Sequence, residues 1–467
     1  MEIIVVGSGQ IGCFSALKLL ERGHSVTMLD IGDTISEPSR SLKNELKSEK
    51  SRNKSIHKLW SMRLKSIKDW NKNIKFMKKF YFADVVAKSS TNERHSNCVT
   101  YSSTHKGGFG NIWGGNISAL SQIDASAWPF NVEELNPYFE YIEKNFHVSA
   151  EKNDITNRYP HIFKGSYNFN LSDNSLNILN CYNRNKELVN QNGLFVGRAP
   201  IAVKSNGKSK SNKCIECGLC MHGCPNDLIF NPRQHIFPKL NKFSSFKYRK
   251  GVLVERFYEN NGKPSLIVKN IYKGSRDKLN ADKIFISGGA VETSKIILNS
   301  KIVPDNELIL KDSDKYLFLF KCKKSKKSAQ INSGNKLAEL AFQFTKLSNT
   351  SKTVHIQLYS LNDHILEFLF NILGYKLTKK LQMFIEFLFG RYMIGMAYFH
   401  SDNSDLIKVR KNRNTFSFSA EKRYRSKKII KEAATTLNRL YTHIGGKIII
   451  PTILRLKTGS SIHYGAT

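Results

Sequence analysis

The sequence predicts an α/β fold, a Rossmann-type nucleotide-binding domain joined to a second, α+β domain of sheet and helix. Three observations carry this expectation. An aliphatic strand runs straight into a G-x-G-x-x-G turn at the N-terminus, a further aliphatic strand meets a second glycine turn near Gly288, and the chain is 467 residues long. That length exceeds the roughly 250–300 residues at which single cores stop growing, so two domains are expected.

Residues Ile3 to Val6 supply the first strand, and Gly7-Ser8-Gly9-Gln10-Ile11-Gly12 follows at once. The helical spacing of Ala16, Leu17, Leu19 and Leu20 comes next, with Gly23 as its stop. Gly7 permits the tight turn, Gly9 lets backbone approach a pyrophosphate, and Gly12 lets helix pack on strand, so the helix N-terminus faces negative charge. Ser25 to Leu29 forms the second strand and delivers Asp30 where a carboxylate accepts bonds from ribose hydroxyls. This context makes a dinucleotide site the expectation, without deciding between NAD and FAD. Further on, the stretches Gly251 to Tyr258 and Leu266 to Tyr272 alternate and predict a small antiparallel meander.

The formal charge of +35 raises the prospect of a polyanion partner. The basic residues are spread along the chain, with local clusters such as Lys321 to Lys327, and no nucleic-acid signature accompanies them. A solvated basic surface is therefore expected, and no nucleic acid. The opening Met1 to Gly7 has no basic region and too short an apolar run for a signal peptide, so a cytoplasmic location is expected. The apolar stretch Leu381 to Phe399 contains Glu386 and Arg391 and is broken by Gly390 and Gly395, which argues against a span of about 20 residues. It reads as a buried helix, with peripheral membrane contact as the other reading.

Residues Gly107-Gly108-Phe109-Gly110-Asn111-Ile112-Trp113-Gly114-Gly115 hold five glycines in nine positions, which implies close backbone approach to something. This segment resembles the one that runs along the flavin in glucose-methanol-choline (GMC) oxidoreductases. Trp128-Pro129-Phe130 with Glu133-Glu134-Leu135-Asn136-Pro137-Tyr138, and Asp282 through Gly288-Gly289-Ala290-Val291-Glu292-Thr293, are similar to two further stretches of that family. The resemblance touches residues 1–40, 100–140, 210–300 and the extreme C-terminus. It implies FAD, bound noncovalently because Ile112 precedes Trp113 where covalent members carry histidine. The implied cofactor contacts are Gly7, Gly9, Gly12, Asp30, Gly107, Gly108, Gly110, Asn111, Trp113, Gly114, Val254, Gly288, Gly289 and Ala290. It also implies an FAD-binding domain over 1–300, with insertions at 41–95 and 140–215. A substrate-binding domain over 301–455 and the start of a returning FAD-domain segment over 456–467 complete the expected organisation.

Four of the eight cysteines crowd into Cys214-x2-Cys217-x2-Cys220-x3-Cys224-Pro225, the spacing of a ferredoxin cluster loop. A [4Fe–4S] cluster here would take Cys214, Cys217 and Cys220, with Cys224 or a remote cysteine such as Cys98, Cys181 or Cys322 as the fourth ligand. A zinc site and unliganded thiols near the flavin are the other readings, zinc being disfavoured by the short spacers.

GMC enzymes oxidise alcohols, sugars or polyols by hydride transfer to flavin N5 while a histidine takes the hydroxyl proton. The C-terminal Gly459 to Thr467 resembles their H-x-G-T motif, which makes His463 the implied catalytic base, apt because imidazole titrates near neutrality. Ala466 stands where the family has Thr, and a second active-site residue with its following strand is missing. The expectation is thus an FAD-dependent oxidoreductase acting on a small alcohol or sugar, with unknown electron acceptor. The alternative is a truncated, inactive flavin-binding remnant.

Overall fold

The N-terminal aliphatic run forms the middle of a parallel sheet in the computed structural model, which describes residues 1–35, 37–47, 92–118, 120–158, 169–204, 214, 220, 224–323, 337–360, 377, 381, 390–460 and 465–466. β1 (Glu2–Val6) pairs in parallel with β2 (Ser25–Asp30) on one side and with β9 (Lys283–Ile286) on the other. β5 (Phe246–Lys250) extends the sheet beyond β2, giving the order β5-β2-β1-β9. Helix α1 (Gln10–Glu21) crosses from β1 to β2 and buries Cys13, Ala16, Leu17 and Leu20 against it. Gly23 stops the helix at a φ of 79°, the left-handed region that glycine enters without strain. Chain order reverses across β1, which places a topological switch point, and hence the binding crevice, at the carboxyl ends of these strands.

The predicted meander is present as the antiparallel sheet β6 (Val252–Asn260), β7 (Lys263–Asn270) and β8 (Arg276–Asn280). It packs through Val252, Val254, Leu266 and Val268 onto Ile4, Val6 and Leu29, so one apolar layer joins the two sheets. Pro137 opens the helix Asn136–Phe146, preceded by a capping box between Asn131 and Glu134.

Two larger sheets follow. One has the order β19-β10-β15-β16-β3, with β3 (Glu93–Ser96), β10 (Glu307–Lys311), β15 (Leu406–Asn412), β16 (Thr415–Glu421) and β19 (Gly465–Ala466). The other is seven-stranded. It runs β17 (Gly446–Ile448), β11 (Lys315–Cys322), β14 (Tyr392–Tyr398), β13 (Val354–Ser360), β12 (Leu340–Phe344) and β4 (Leu194–Arg198), with β18 (Leu454–Arg455) also on β11. One face of it buries Phe318, Phe320, Phe342, Phe344, Ile356 and Leu358 beneath the helices Asp173–Arg184 and Arg425–Arg439.

The stretch Leu381 to Phe399, read from sequence as a buried helix, is strand over 392–398, and residues 382–389 lie outside the described residues. The correction has a steric cause. Gly395 sits against the Phe318 ring, where an added Cβ would lie 2.1 Å from a ring carbon, so a flat backbone with no side chain is needed at this position. Among the described residues no helix is long and apolar enough to cross a membrane.

Candidate functional site

The three glycine-bearing segments and the end of β2 meet around one cleft of about 1580 Å³. This exceeds the roughly 300–1,000 Å³ of a single small-molecule pocket. Gly7 turns the chain at φ 92°, and an added Cβ there would lie 2.5 Å from the Ser287 carbonyl oxygen. At Gly12 the added Cβ would lie 2.0 Å from the Gly7 carbonyl oxygen, so this glycine lets α1 pack on the turn. Gly9 is different. It caps α1, lines the cleft, and an added Cβ would meet no protein atom within 4 Å.

Ser8 ties the segments together. It is 2% exposed, its Oγ donates to Asp30 Oδ2, and the same Oγ accepts from the Gly107 amide at 2.9 Å. Asp30 also accepts from the Tyr248 hydroxyl of β5 at 3.1 Å. Burial pushes the Asp30 carboxyl up to about 6, against the pull of the Ser8 and Tyr248 hydrogen bonds. Lys106 stands nearby with its ammonium 3.7 Å from the centre of the Phe237 ring, and burial lowers its pKa.

In the second segment, Gly107 and Gly108 both have positive φ, and an added Cβ at Gly108 would lie 3.3 Å from the Gly9 Cα. The two glycine segments therefore meet backbone to backbone. Gly108, Gly110 and Trp113 line the cleft, and Trp113 donates its indole N–H to the Phe230 carbonyl at 2.7 Å. Gly107 and Asn111 close the turn instead, Asn111 donating to the Lys106 carbonyl at 2.9 Å, while Gly114 is half-buried beyond Trp113. The third segment contributes Gly288, Gly289 and Ala290, with Gly289 at φ 81° capping the helix Ala290–Asn299. Two helix N-termini thus face the cleft. Val254 lines it where the β6–β7 register shifts.

Several wall residues were not anticipated. Tyr101 to His105 lines the cleft because its backbone is clipped to the end of β2, with Asp33 N–H on the Thr104 carbonyl at 2.9 Å and Lys106 N–H on the Asp33 carbonyl at 3.0 Å. Lys295 also reaches the wall, paired with the buried Glu93 and with Glu292 at 2.7 Å. Both depend on pairings between distant segments, which no local pattern announces. Only the serines and threonine just ahead of the glycine run hinted at the first.

His463 and Cys217 lie outside the described residues. Cys214, Cys220 and Cys224 pack together against Ile201, Val203, Leu228, Ile229 and Leu337. Among the described residues no group of three or more His, Cys, Asp or Glu is arranged to hold a metal. Burial pushes the Cys224 thiol up. The expected [4Fe–4S] cluster gains no support from this arrangement.

Fold and cleft define an α/β protein with a glycine-lined crevice at the carboxyl ends of a parallel sheet. The chain shares this fold with a solved structure, that of pyridoxine 4-oxidase from Mesorbium loti, at a TM-score of 0.53 and 12% sequence identity, over 98% of this chain and 82% of that one. No protein-family model matches the sequence. No curated protein sequence matches it either.

Proposed function

We propose that this chain is an FAD-dependent oxidoreductase of GMC type that acts on CH–OH groups. The observation that carries the reading is the convergence of three glycine segments and one half-buried carboxylate on a single cleft, in a fold shared with pyridoxine 4-oxidase. The residues present fit the cofactor. Gly9 leaves open space beside an α-helix N-terminus, suited to a pyrophosphate, and Asp30 stands at the end of β2, suited to ribose hydroxyls. Gly108, Gly110, Trp113, Gly288 and Gly289 would line its length.

When bound, FAD supplies the hydride acceptor at N5. The chain's part is to hold the partners in place, to exclude water from the crevice, and to remove the hydroxyl proton, a role the family resemblance gives to His463. The direct test is purification of the full chain with excess FAD, followed by an absorbance spectrum and dye reduction over a panel of alcohols and sugars. A protein that takes up no flavin would refute the proposal.

The flavin is expected to be noncovalent. Acid precipitation should release the yellow chromophore completely into the supernatant. Colour retained in the pellet would contradict this and would point to His105, which lines the same cleft.

Affinity for FAD is expected to depend on pH through Asp30. In the free protein burial favours its protonated form up to about pH 6. Ribose hydroxyls donate to the ionised form and so pull this pKa back down. Binding then releases a proton below about pH 6, and affinity should fall by up to roughly tenfold per pH unit as the pH drops under that value. Above it the affinity should level off. Flavin fluorescence titrations between pH 5 and 8 check this, and Asp30→Asn should flatten the curve.

A further inference from the structure

Charge along the cleft wall is unevenly matched. Among the described residues the wall carries the carboxylates of Asp30, Glu255 and Glu292, and each already has partners within the protein. Asp30 takes the Ser8 and Tyr248 hydroxyls, Glu292 takes Lys295 at 2.7 Å, and Glu255 takes Arg276 through two bonds of 2.8 and 3.1 Å. Three further cations stand on the same wall: Arg256 of β6, Lys301 just past the helix Ala290–Asn299, and Lys411 of β15. Among the described residues none of these three makes an ion pair. Lys408 and Arg410, on the same strand as Lys411, are matched by contrast, with Glu421 at 2.8 Å and with Glu307. A basic composition alone therefore does not account for the three.

The fold brings these cations together from distant parts of the chain. Phe257 N–H bonds the Ser300 hydroxyl at 2.9 Å, which sets the end of the helix on β6, and Lys411 N–H bonds the Asn306 carbonyl at 3.1 Å, which sets β15 beside the segment that follows the helix. Lys301 sits at φ 57°, in the left-handed region that favours glycine, so a lysine stands where glycine would relax the backbone. Burial, and then repulsion by Lys301 and Arg256, lower the Lys411 pKa. The carbonyl end of the helix favours one cation beside it, but it does not call for three. An anion among them would turn this repulsion into attraction.

We infer that Arg256, Lys301 and Lys411 form an anion site on the cleft wall that takes the phosphoryl group of a small molecule, apart from the phosphates of the dinucleotide. A carboxylate would match one of the three cations. A phosphoryl group carries a charge of about −1.5 to −2 and three strong acceptor oxygens, close to one oxygen per cation. Asn414, at the tip of the β15–β16 hairpin, adds a neutral amide donor on the same wall. Arg256 and Lys301 are exposed and Lys411 is half-buried, so the site opens to solvent. None of the three cations lies in the glycine segments or next to Asp30 in the chain. The inference goes beyond the oxidoreductase reading and does not depend on it.

The test is calorimetric titration of the full, flavin-supplemented chain with inorganic phosphate, set against sodium chloride at matched ionic strength. Phosphate should bind to saturation and chloride should not. Glycerol 3-phosphate and glucose 6-phosphate should compete with phosphate, whereas glycerol and glucose should not. Lys411→Gln and Lys301→Gly should each weaken phosphate binding by roughly tenfold, since each removes one charge-assisted contact. Neither should melt below the wild type, because the first relieves repulsion and the second relieves a left-handed backbone. A purely structural role would give the reverse, a lower melting temperature with unchanged phosphate affinity, and would overturn the inference. Flavin content should be equal in all three proteins; its loss in the variants would assign these cations to the dinucleotide's own phosphates and would also overturn it. Phosphate binding that neither ester displaces, or binding of polyglutamate in place of phosphate, would do the same, the latter pointing to an acidic protein. If both variants fail to fold, the wild type decides: chloride that acts as phosphate does overturns the site, and selective, ester-displaceable phosphate binding supports it. A chain that binds phosphate at these cations without taking up flavin would refute the oxidoreductase reading and leave this site standing.

Discussion

Gly12→Val and Gly9→Val should each cut flavin binding sharply for opposite reasons, and the pair separates fold from site. At Gly12 the new Cβ would fall 2.0 Å from the Gly7 carbonyl oxygen, a backbone atom that cannot swing aside. Helix α1 would have to lift off β1, and overpacking of this kind costs about 1–3 kcal/mol or more. The variant should be poorly soluble or melt well below the wild type. At Gly9 no protein atom lies within 4 Å of the new Cβ, so the fold should survive with an unchanged melting temperature. Its branched side chain would instead stand in the crevice where a pyrophosphate must approach the helix N-terminus. Affinity for FAD should fall by roughly 100-fold, equivalent to about 2.7 kcal/mol. Flavin per chain after gel filtration, read beside thermal melts, tests both. Wild-type flavin content in a folded Gly9→Val protein would remove the pyrophosphate from this turn.

The second large effect lies far from the glycine turns. Arg455 reaches Asp314 at 2.7 Å and Asp405 at 2.6 Å, and Asp405 is 0% exposed. Lys422 and Thr458 also bond Asp405, at 2.9 and 2.8 Å. These contacts pin β18 and the segment after it to the two large sheets. Arg455→Leu would leave two buried carboxylates short of a cation and should cost on the order of 3 kcal/mol. A urea midpoint lowered by roughly 1–3 M is the expected reading, with Arg455→Lys recovering part of it. Burial alone would raise the Asp405 pKa, but the Arg423 amide, Lys422, Thr458 and Arg455 together hold it below the ordinary 3.8. Its contribution is therefore complete above the ordinary value and is lost as pH falls through the lower, folded one. In Arg455→Leu that acid transition should move to higher pH. An unchanged urea midpoint would show that the cluster does not brace the sheets.

The parts legible from sequence are those whose signal is local. Strand, glycine turn, helix and second strand up to Asp30 follow one another within thirty residues, and Gly7 and Gly12 each have a steric reason to be there. The meander over 252–280 alternates visibly, and Gly288-Gly289 follows its strand at once. What escaped was set by distant partners. The strand at 392–398 is apolar on both faces, so its period of two is invisible and its length suggested a helix. Tyr101 to His105 joins the cleft only through Asp33, and Ser8 acquires its bridging role only when Gly107 arrives beside it.

The neighbours of β1 bear on how such a chain is made. Glu2 N–H bonds Asp282, 280 residues downstream, at the start of the strand that completes the switch point. At a synthesis rate of about 5–20 residues per second, the emerging N-terminus waits on the order of tens of seconds before that partner leaves the ribosome. Through this interval one edge of an aliphatic strand stands open to other chains. Assembly of the cleft is thus a late event in biosynthesis, and yields should respond to slower translation and to holdase chaperones more than those of a protein closed by local contacts.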